Sequence, residues 1–154
     1  MRWGLRLVMR VVAPRQWVGA VGAVFNPLGE VLLLEHVFRT DYPWGLPGGW
    51  VERREDPADT VRREIAEELH LEVEVRCLLH CAPVAAIATS AAPPHLGLGY
   101  FCRLAGGSAV VASEILASEW VDPLKINREL APFQRRVIEL GLERFNLEAG
   151  RLAR

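Results

Sequence analysis

Cysteine is scarce in this 154-residue chain: only Cys77, Cys81 and Cys102. An odd set cannot all pair with one another, and no CxxC pair occurs. Neither a disulfide framework nor a zinc ribbon is indicated. The three read as reduced core or strand residues, as expected of a cytoplasmic protein. Long apolar runs are also missing, and none approaches the roughly 18 residues of a membrane span. Nor is there an excess of one charge. Eighteen Lys and Arg stand against nineteen Asp and Glu, a net of −1. Binding a phosphate backbone by counterion release needs a basic surface, so no nucleic acid partner is expected. Internal repeats and long linkers are absent too.

What is present describes a folded domain. Apolar residues make up 51% and charged ones 24%, which excludes a disordered chain. The length suits one domain with a core that needs no disulfide or structural metal. Charge is unevenly placed. Residues 1–16 carry Arg2, Arg6, Arg10 and Arg15 and no acid. On a helix the first three share a face, with Trp3, Leu5, Leu7, Val8 and Met9 over much of the rest. Residues 1–14 therefore read as a basic amphipathic arm before a domain at 15–154. Packing of residues 1–12 on that domain is favoured over contact with an anionic membrane or a partner. The arm is too short and too basic to span a bilayer, and its arginines break up any signal-peptide core.

Trp17–Phe25 is Val-rich and reads as a buried strand. Asn26-Pro27-Leu28-Gly29 has turn chemistry, so Glu30–Phe38 becomes the second strand of a hairpin. Arg39–Gly49, rich in Pro and Gly, reads as a loop. Asp56 is a good N-cap and Pro57 fits the first helical position. The helix predicted from there to about His70 carries an apolar stripe of Ala58, Val61, Ile65 and Leu69. Strands are expected at Glu72–Ala82, Leu96–Leu104 and Glu119–Val121, with a turn at Gly106-Gly107. A last helix over Pro132–Phe145 has Phe133, Val137, Leu140 and Phe145 among its apolar positions.

Glu64, Glu67 and Glu68 stand at i, i+3 and i+4, so their carboxylates share one helical turn. Close carboxylates suit a hard divalent cation such as Mg²⁺ or Mn²⁺. Taken alone, the triplet is better read as a solvated acidic face, helped by Arg62 and Arg63. The context upstream is Leu46-Pro47-Gly48-Gly49, where backbone can approach a ligand closely; Glu52 and Glu55 follow. From Gly49 to Leu71 the chain resembles the Nudix hydrolase signature. Gly49, Glu55, Arg63, Glu64, Ile65, Glu67, Glu68 and Leu71 match with every gap of the right length. His70 departs from the pattern, standing where that family has Gly. A His can take the left-handed conformation at some cost, so a local backbone adjustment is expected.

The resemblance covers about Val18 to Phe145, including the Glu119-Trp120 pair. It implies an α/β fold, a Nudix-type α/β/α sandwich around a mixed β-sheet. It implies hydrolysis of a diphosphate linkage in a small nucleotide, with Mg²⁺ or Mn²⁺ as cofactor. The implied metal ligands are Glu64, Glu67, Glu68, the Gly48 carbonyl and Glu114. Glu64 or Glu67 would orient or deprotonate the attacking water. Gly49, Glu55 and Arg63 would support the site, Arg63 by ion pairing and Glu55 by tying loop to helix. Trp44, Trp50 and Tyr100 are candidates for stacking on a base, although core or loop packing explains them more simply. His80 and His95 read as structural. The substrate is not legible, and a homodimer is compatible with the sequence. The competing reading is a non-catalytic Nudix-fold nucleotide-binding module, tethered by the basic arm.

Overall fold

The computed structural model describes residues 16–37, 41–85, 92–107 and 115–152. The basic arm and Glu114 lie outside the described residues. In chain order the elements are β1 (Trp17–Phe25), β2 (Val31–His36), β3 (Trp44–Gly45), β4 (Gly48–Trp50), α1 (Pro57–Leu69), β5 (Leu71–Val84), β6 (His95–Gly107), β7 (Ile115–Val121), a 3-10 turn (Pro123–Lys125) and α2 (Pro132–Leu152).

The strands form one mixed sheet in the order β3-β2-β1-β6-β5, with β4 added to β1 and β7 to β2. β1 and β6 run parallel, from Trp17↔His95 to Phe25↔Arg103; the other pairings are antiparallel. Three expectations are corrected here. The turn expected at Gly106-Gly107 is instead the end of β6, where the two glycines pair with Glu72 and Leu71. The stretch expected as a loop over 39–49 contains β3 and the start of β4. The expected hairpin exists only at its turn, where Phe25 pairs with Val31. Beyond it β2 runs along β7 instead. The expected turn is present and Asn26 closes it: its side-chain oxygen accepts from the N–H of Leu28 and Glu30, at 2.9 and 3.0 Å. Strand divergence after the turn is a long-range property that no local spacing reports.

Side chains alternate across β1. Ala20 and Val24 face one layer with Val61, Ile65 and Leu69 of α1. Ala23 and Phe25 face the other with Val137 and Ile138 of α2. The sheet is thus covered on both faces, the sandwich the sequence led us to expect. Gly22 lets α1 settle close, since a Cβ there would lie 2.8 Å from Val61 Cγ1. Ile65 is fully buried at this contact. Ile65→Ala is expected to lower unfolding stability by about 2–5 kcal/mol, read as the midpoint shift in urea at unchanged slope. Of the cysteines, Cys102 is buried and Cys77 half-buried, but Cys81 is exposed, so packing does not account for Cys81. Burial pushes the Cys102 thiol up to about 12, which leaves it unreactive at neutral pH. No helix among the described residues is long and apolar enough to cross a membrane.

Candidate active site

The segment Leu46–Val51 is pinned on three sides. Gly22 N–H donates to Pro47 O and Val51 N–H to Val18 O, each at 2.9 Å. Leu46 N–H donates to Gln134 Oε1 of α2 at 2.7 Å. β4 then pairs with β1, with Val21 opposite Gly48 and Ala20 opposite Gly49. Gly48 has φ +147°, and a Cβ on it would fall 2.2 Å from Ala20 O. Only glycine fits there. Gly49 faces α1, and a Cβ on it would lie 2.2 Å from Glu64 Oε1. The Glu64 carboxylate therefore rests against bare backbone.

α1 begins where the sequence placed it. Asp56 is extended and its side chain accepts from Ala58 N–H at 2.8 Å, with Pro57 in the first turn. Arg63 sits at the centre of the acidic cluster. Its Nε donates to Glu55 Oε1 at 2.9 Å and its Nη2 to Glu55 Oε2 at 3.1 Å. Its Nη1 reaches Glu64 Oε1 at 2.9 Å and Glu67 Oε2 at 3.4 Å. Nη2 also lies 3.5 Å from the Trp50 carbonyl. Glu55 accepts in addition from Glu52 N–H at 3.0 Å and Thr60 Oγ1 at 2.7 Å. One arginine thus joins the loop before the helix to the acids on it.

Those bonds hold the Glu55 carboxyl down at about 2 from an ordinary 4.5, the Arg63 bond first, then Glu52 N–H and the Thr60 hydroxyl. The Arg63 guanidinium is correspondingly pushed up, chiefly by Glu55. Folding depresses the Glu55 pKa, so its stabilising contribution is complete above the unfolded value of about 4.5 and is lost as pH falls towards 2. Thermal melts between pH 7 and pH 2 should show this loss, and Glu55→Gln should flatten the curve in that window.

Glu64 and Glu67 both lean on Arg63, with side-chain exposures of 19% and 62%. Glu68 is half-buried on the next turn position. Among the described residues no three His, Cys, Asp or Glu side chains converge on one point in this conformation. The aromatic candidates are not brought together. Trp44 lies under the Arg128 guanidinium, 4.5 Å from its ring centre, on the α2 side. Tyr100 packs on the α1 side, its phenol pushed up by burial and then by the charge of Asp56. Trp50 turns to the face opposite Gly49, over Gly19. There it meets two residues that the sequence alone does not group with it, Trp17 at 5.7 Å and His95 at 4.9 Å between ring centres. The parallel register Trp17↔His95 assembles them, and no local spacing shows that register. An open cleft of about 410 Å³ beside Trp17 and His95 is lined also by Pro83, Val84 and Pro94. His80 stacks beside Phe133 at 5.4 Å, a packing role as expected.

Comparison with known proteins bears on this arrangement. A family model described as NUDIX domain matches residues 15–141. The chain belongs to the NUDIX domain family. The nucleoside diphosphate-linked moiety X motif 6 protein of Mus musculus is 32% identical over 137 residues, covering 80% of this chain and 41% of that protein. The CMP-5'-(N-acetyl-N-hydroxy-3-aminopropyl)phosphonate hydrolase of Streptomyces rubellomurinus is 37% identical over 109 residues, covering 70% and 51%. The chain thus spans only about half, or less, of the length of these relatives. The crystal structure of a MutT NUDIX hydrolase from Burkholderia pseudomallei aligns with a TM-score of 0.72 at 25% identity, over 82% of this chain and 98% of that one.

Within the Nudix signature the departure at His70 is accommodated. His70 caps α1 in the left-handed conformation, φ 54° and ψ 30°, and its N–H donates to Ala66 O. His70 thus takes the left-handed cap conformation that Gly favours. Glu119 of the late Glu-Trp pair is bound to Arg128 at 2.9 Å, and Trp120 packs against the α1-side core.

Proposed function

We propose that this Nudix domain is a metal-dependent hydrolase that cleaves a diphosphate linkage in a nucleoside diphosphate derivative or nucleoside triphosphate. One observation carries the reading. Three carboxylates, Glu55, Glu64 and Glu67, are gathered by a single arginine beside a backbone wall that Gly49 keeps bare. An acidic surface of this kind repels a diphosphate and suits a cation.

The residues fit a hard divalent ion. The candidate donors are all oxygen, Glu64, Glu67 and Glu68 share one helical turn, and no side chain crowds Glu64 from the Gly49 side. In this conformation Arg63, not a cation, draws Glu64 and Glu67 together. Glu64, Glu67, Glu68 and the Gly48 carbonyl would hold Mg²⁺ or Mn²⁺, with Glu114 a further ligand. When bound, the ion supplies phosphoryl polarisation and a water of lowered pKa. Arg63 keeps Glu64 in place and limits repulsion within the cluster. Glu67 is the most exposed of its carboxylate partners and makes the longest ion pair with it. That leaves Glu67 the group best able to turn towards a water and accept its proton, with Glu64 as the alternative. Trp44, Trp50 with its neighbour Trp17, and Tyr100 on the α1 side offer planar surfaces for stacking a base.

The name of one relative, a hydrolase of a CMP-linked phosphonate, agrees with this reading. The test is a screen of nucleoside diphosphate derivatives and nucleoside triphosphates with Mg²⁺ or Mn²⁺, detecting released monophosphate, pyrophosphate or phosphate. Turnover that depends on added metal is expected. Tight nucleotide binding without turnover under either ion would instead make the chain a binding module.

A further inference from the structure

Arg53 and Arg54 occupy the two corners of the turn that Glu55 N–H closes onto Glu52 O at 3.1 Å. The φ of Arg54 is +72°, in the left-handed region where the second corner of such a turn favours glycine. A long charged side chain is an uncommon occupant there. Strained residues held by their surroundings cluster at functional sites.

The turn is firmly held. Glu52 N–H donates to Glu55 Oε2, and Glu55 is bound by Thr60 and twice by Arg63. The same Arg63 holds Glu64 and Glu67. The corners therefore have a fixed position relative to the carboxylates. Both arginines are exposed. The ion pairs among the described residues engage neighbouring Arg62, with Asp59, and Arg63, with its acids, but neither Arg53 nor Arg54. Charge supplies the reason for an unengaged cation here. Glu55, Glu64, Glu67 and Glu68 are four acids against one buried-side arginine. A diphosphate adds at least two further negative charges by its chemistry. A divalent ion offsets part of that sum, and a guanidinium at the edge offers paired donors matched to non-bridging phosphate oxygens.

We propose that Arg54, fixed in the Glu52–Glu55 turn, is a phosphate-binding residue that determines how tightly the site holds a diphosphate. The proposal rests on the hydrolase reading above and adds a residue outside the signature acids to it.

The decisive variant is Arg54→Gly, because glycine is the residue this backbone prefers. It should melt no lower than the wild type, so loss of function cannot be ascribed to loss of fold. Calorimetric titration with methylenediphosphonate, a non-hydrolysable diphosphate, in the presence of Mg²⁺ should show affinity about tenfold weaker in Arg54→Gly. Arg54→Lys should fall between the two, since it keeps the charge and loses the paired donors. The wild-type affinity should also decline more steeply with added salt. With a turnover substrate, KM should rise by a similar factor and kcat should change by less than about twofold. Equal affinity in wild type and Arg54→Gly, including no measurable binding in either, overturns the proposal. Failure of the hydrolase reading looks different: no substrate is turned over, while the contrast in diphosphonate affinity persists.

Discussion

Glu67→Gln is expected to lower kcat by about 10²–10⁴, roughly 3–5 kcal/mol of barrier, with KM little changed. The substitution removes one charge and leaves the shape of the side chain. Glu67 is 62% exposed, so folding stability should scarcely respond. Its pairing with Arg63 at 3.4 Å is the weakest in the cluster, and Arg63 would keep its bonds to Glu55 and Glu64. The loss should therefore appear in the chemical step. Steady-state kinetics with a substrate from the screen, beside thermal melting, separate the two effects. A variant with near-wild-type kcat would remove Glu67 from the catalytic assignment and leave Glu64.

Neighbouring glycines should respond in opposite ways to the same added methyl. In Gly49→Ala the Cβ would collide with Glu64 Oε1 at 2.2 Å and Cδ at 2.4 Å. That carboxylate ends a flexible side chain and can swing aside. The domain should stay folded, within about 1 kcal/mol of wild type, while Glu64 loses its place. Displacement of a positioned group by about an ångström costs on the order of 10²-fold in kcat. In Gly48→Ala the Cβ would meet Ala20 O at 2.2 Å and Val21 Cα at 2.7 Å, with φ already at +147°. These are backbone atoms of the central strand and have nowhere to go. Destabilisation of about 3 kcal/mol or more is expected, with β4 detached from β1. Urea unfolding and kcat, measured on both variants, check the contrast. A Gly49→Ala protein that is fully active would show that Glu64 works from a position other than the one seen here.

Local information in the sequence placed the helix of the candidate site and the spacing of its acids. Asp56-Pro57 marked the start of α1, and the i, i+3, i+4 spacing placed the acids on one turn, because both depend on neighbours within a few residues. Arg63 to Glu55 was anticipated as ion pairing and tying of loop to helix, and one set of hydrogen bonds does both. The aromatic residues were not legible in the same way. Trp44, Trp50 and Tyr100 end up on three different strands, the two tryptophans on the α2 side of the sheet and the tyrosine on the α1 side. Trp17 and His95 were missed because only the register of a parallel strand pair brings them to Trp50. β3 and β4 were hidden by their brevity, two and three residues in a stretch full of Pro and Gly. Arg54 was legible as a charge but not as a conformational outlier, since positive φ at a non-glycine residue leaves no mark on composition.

The parallel pairing of β1 with β6 has a consequence for how the domain is made. Trp17 meets His95 across the sheet, partners roughly eighty residues apart in the chain. α1 can form early from its own capped sequence, but β1 has its widest bonding partner only after most of the domain has been synthesised. Until β6 arrives, the β1 edge is an unfilled ladder of backbone donors and acceptors, open to pairing with another chain. Newly made protein should be most prone to aggregate in that interval, and slowing synthesis or lowering temperature during expression should raise the folded yield.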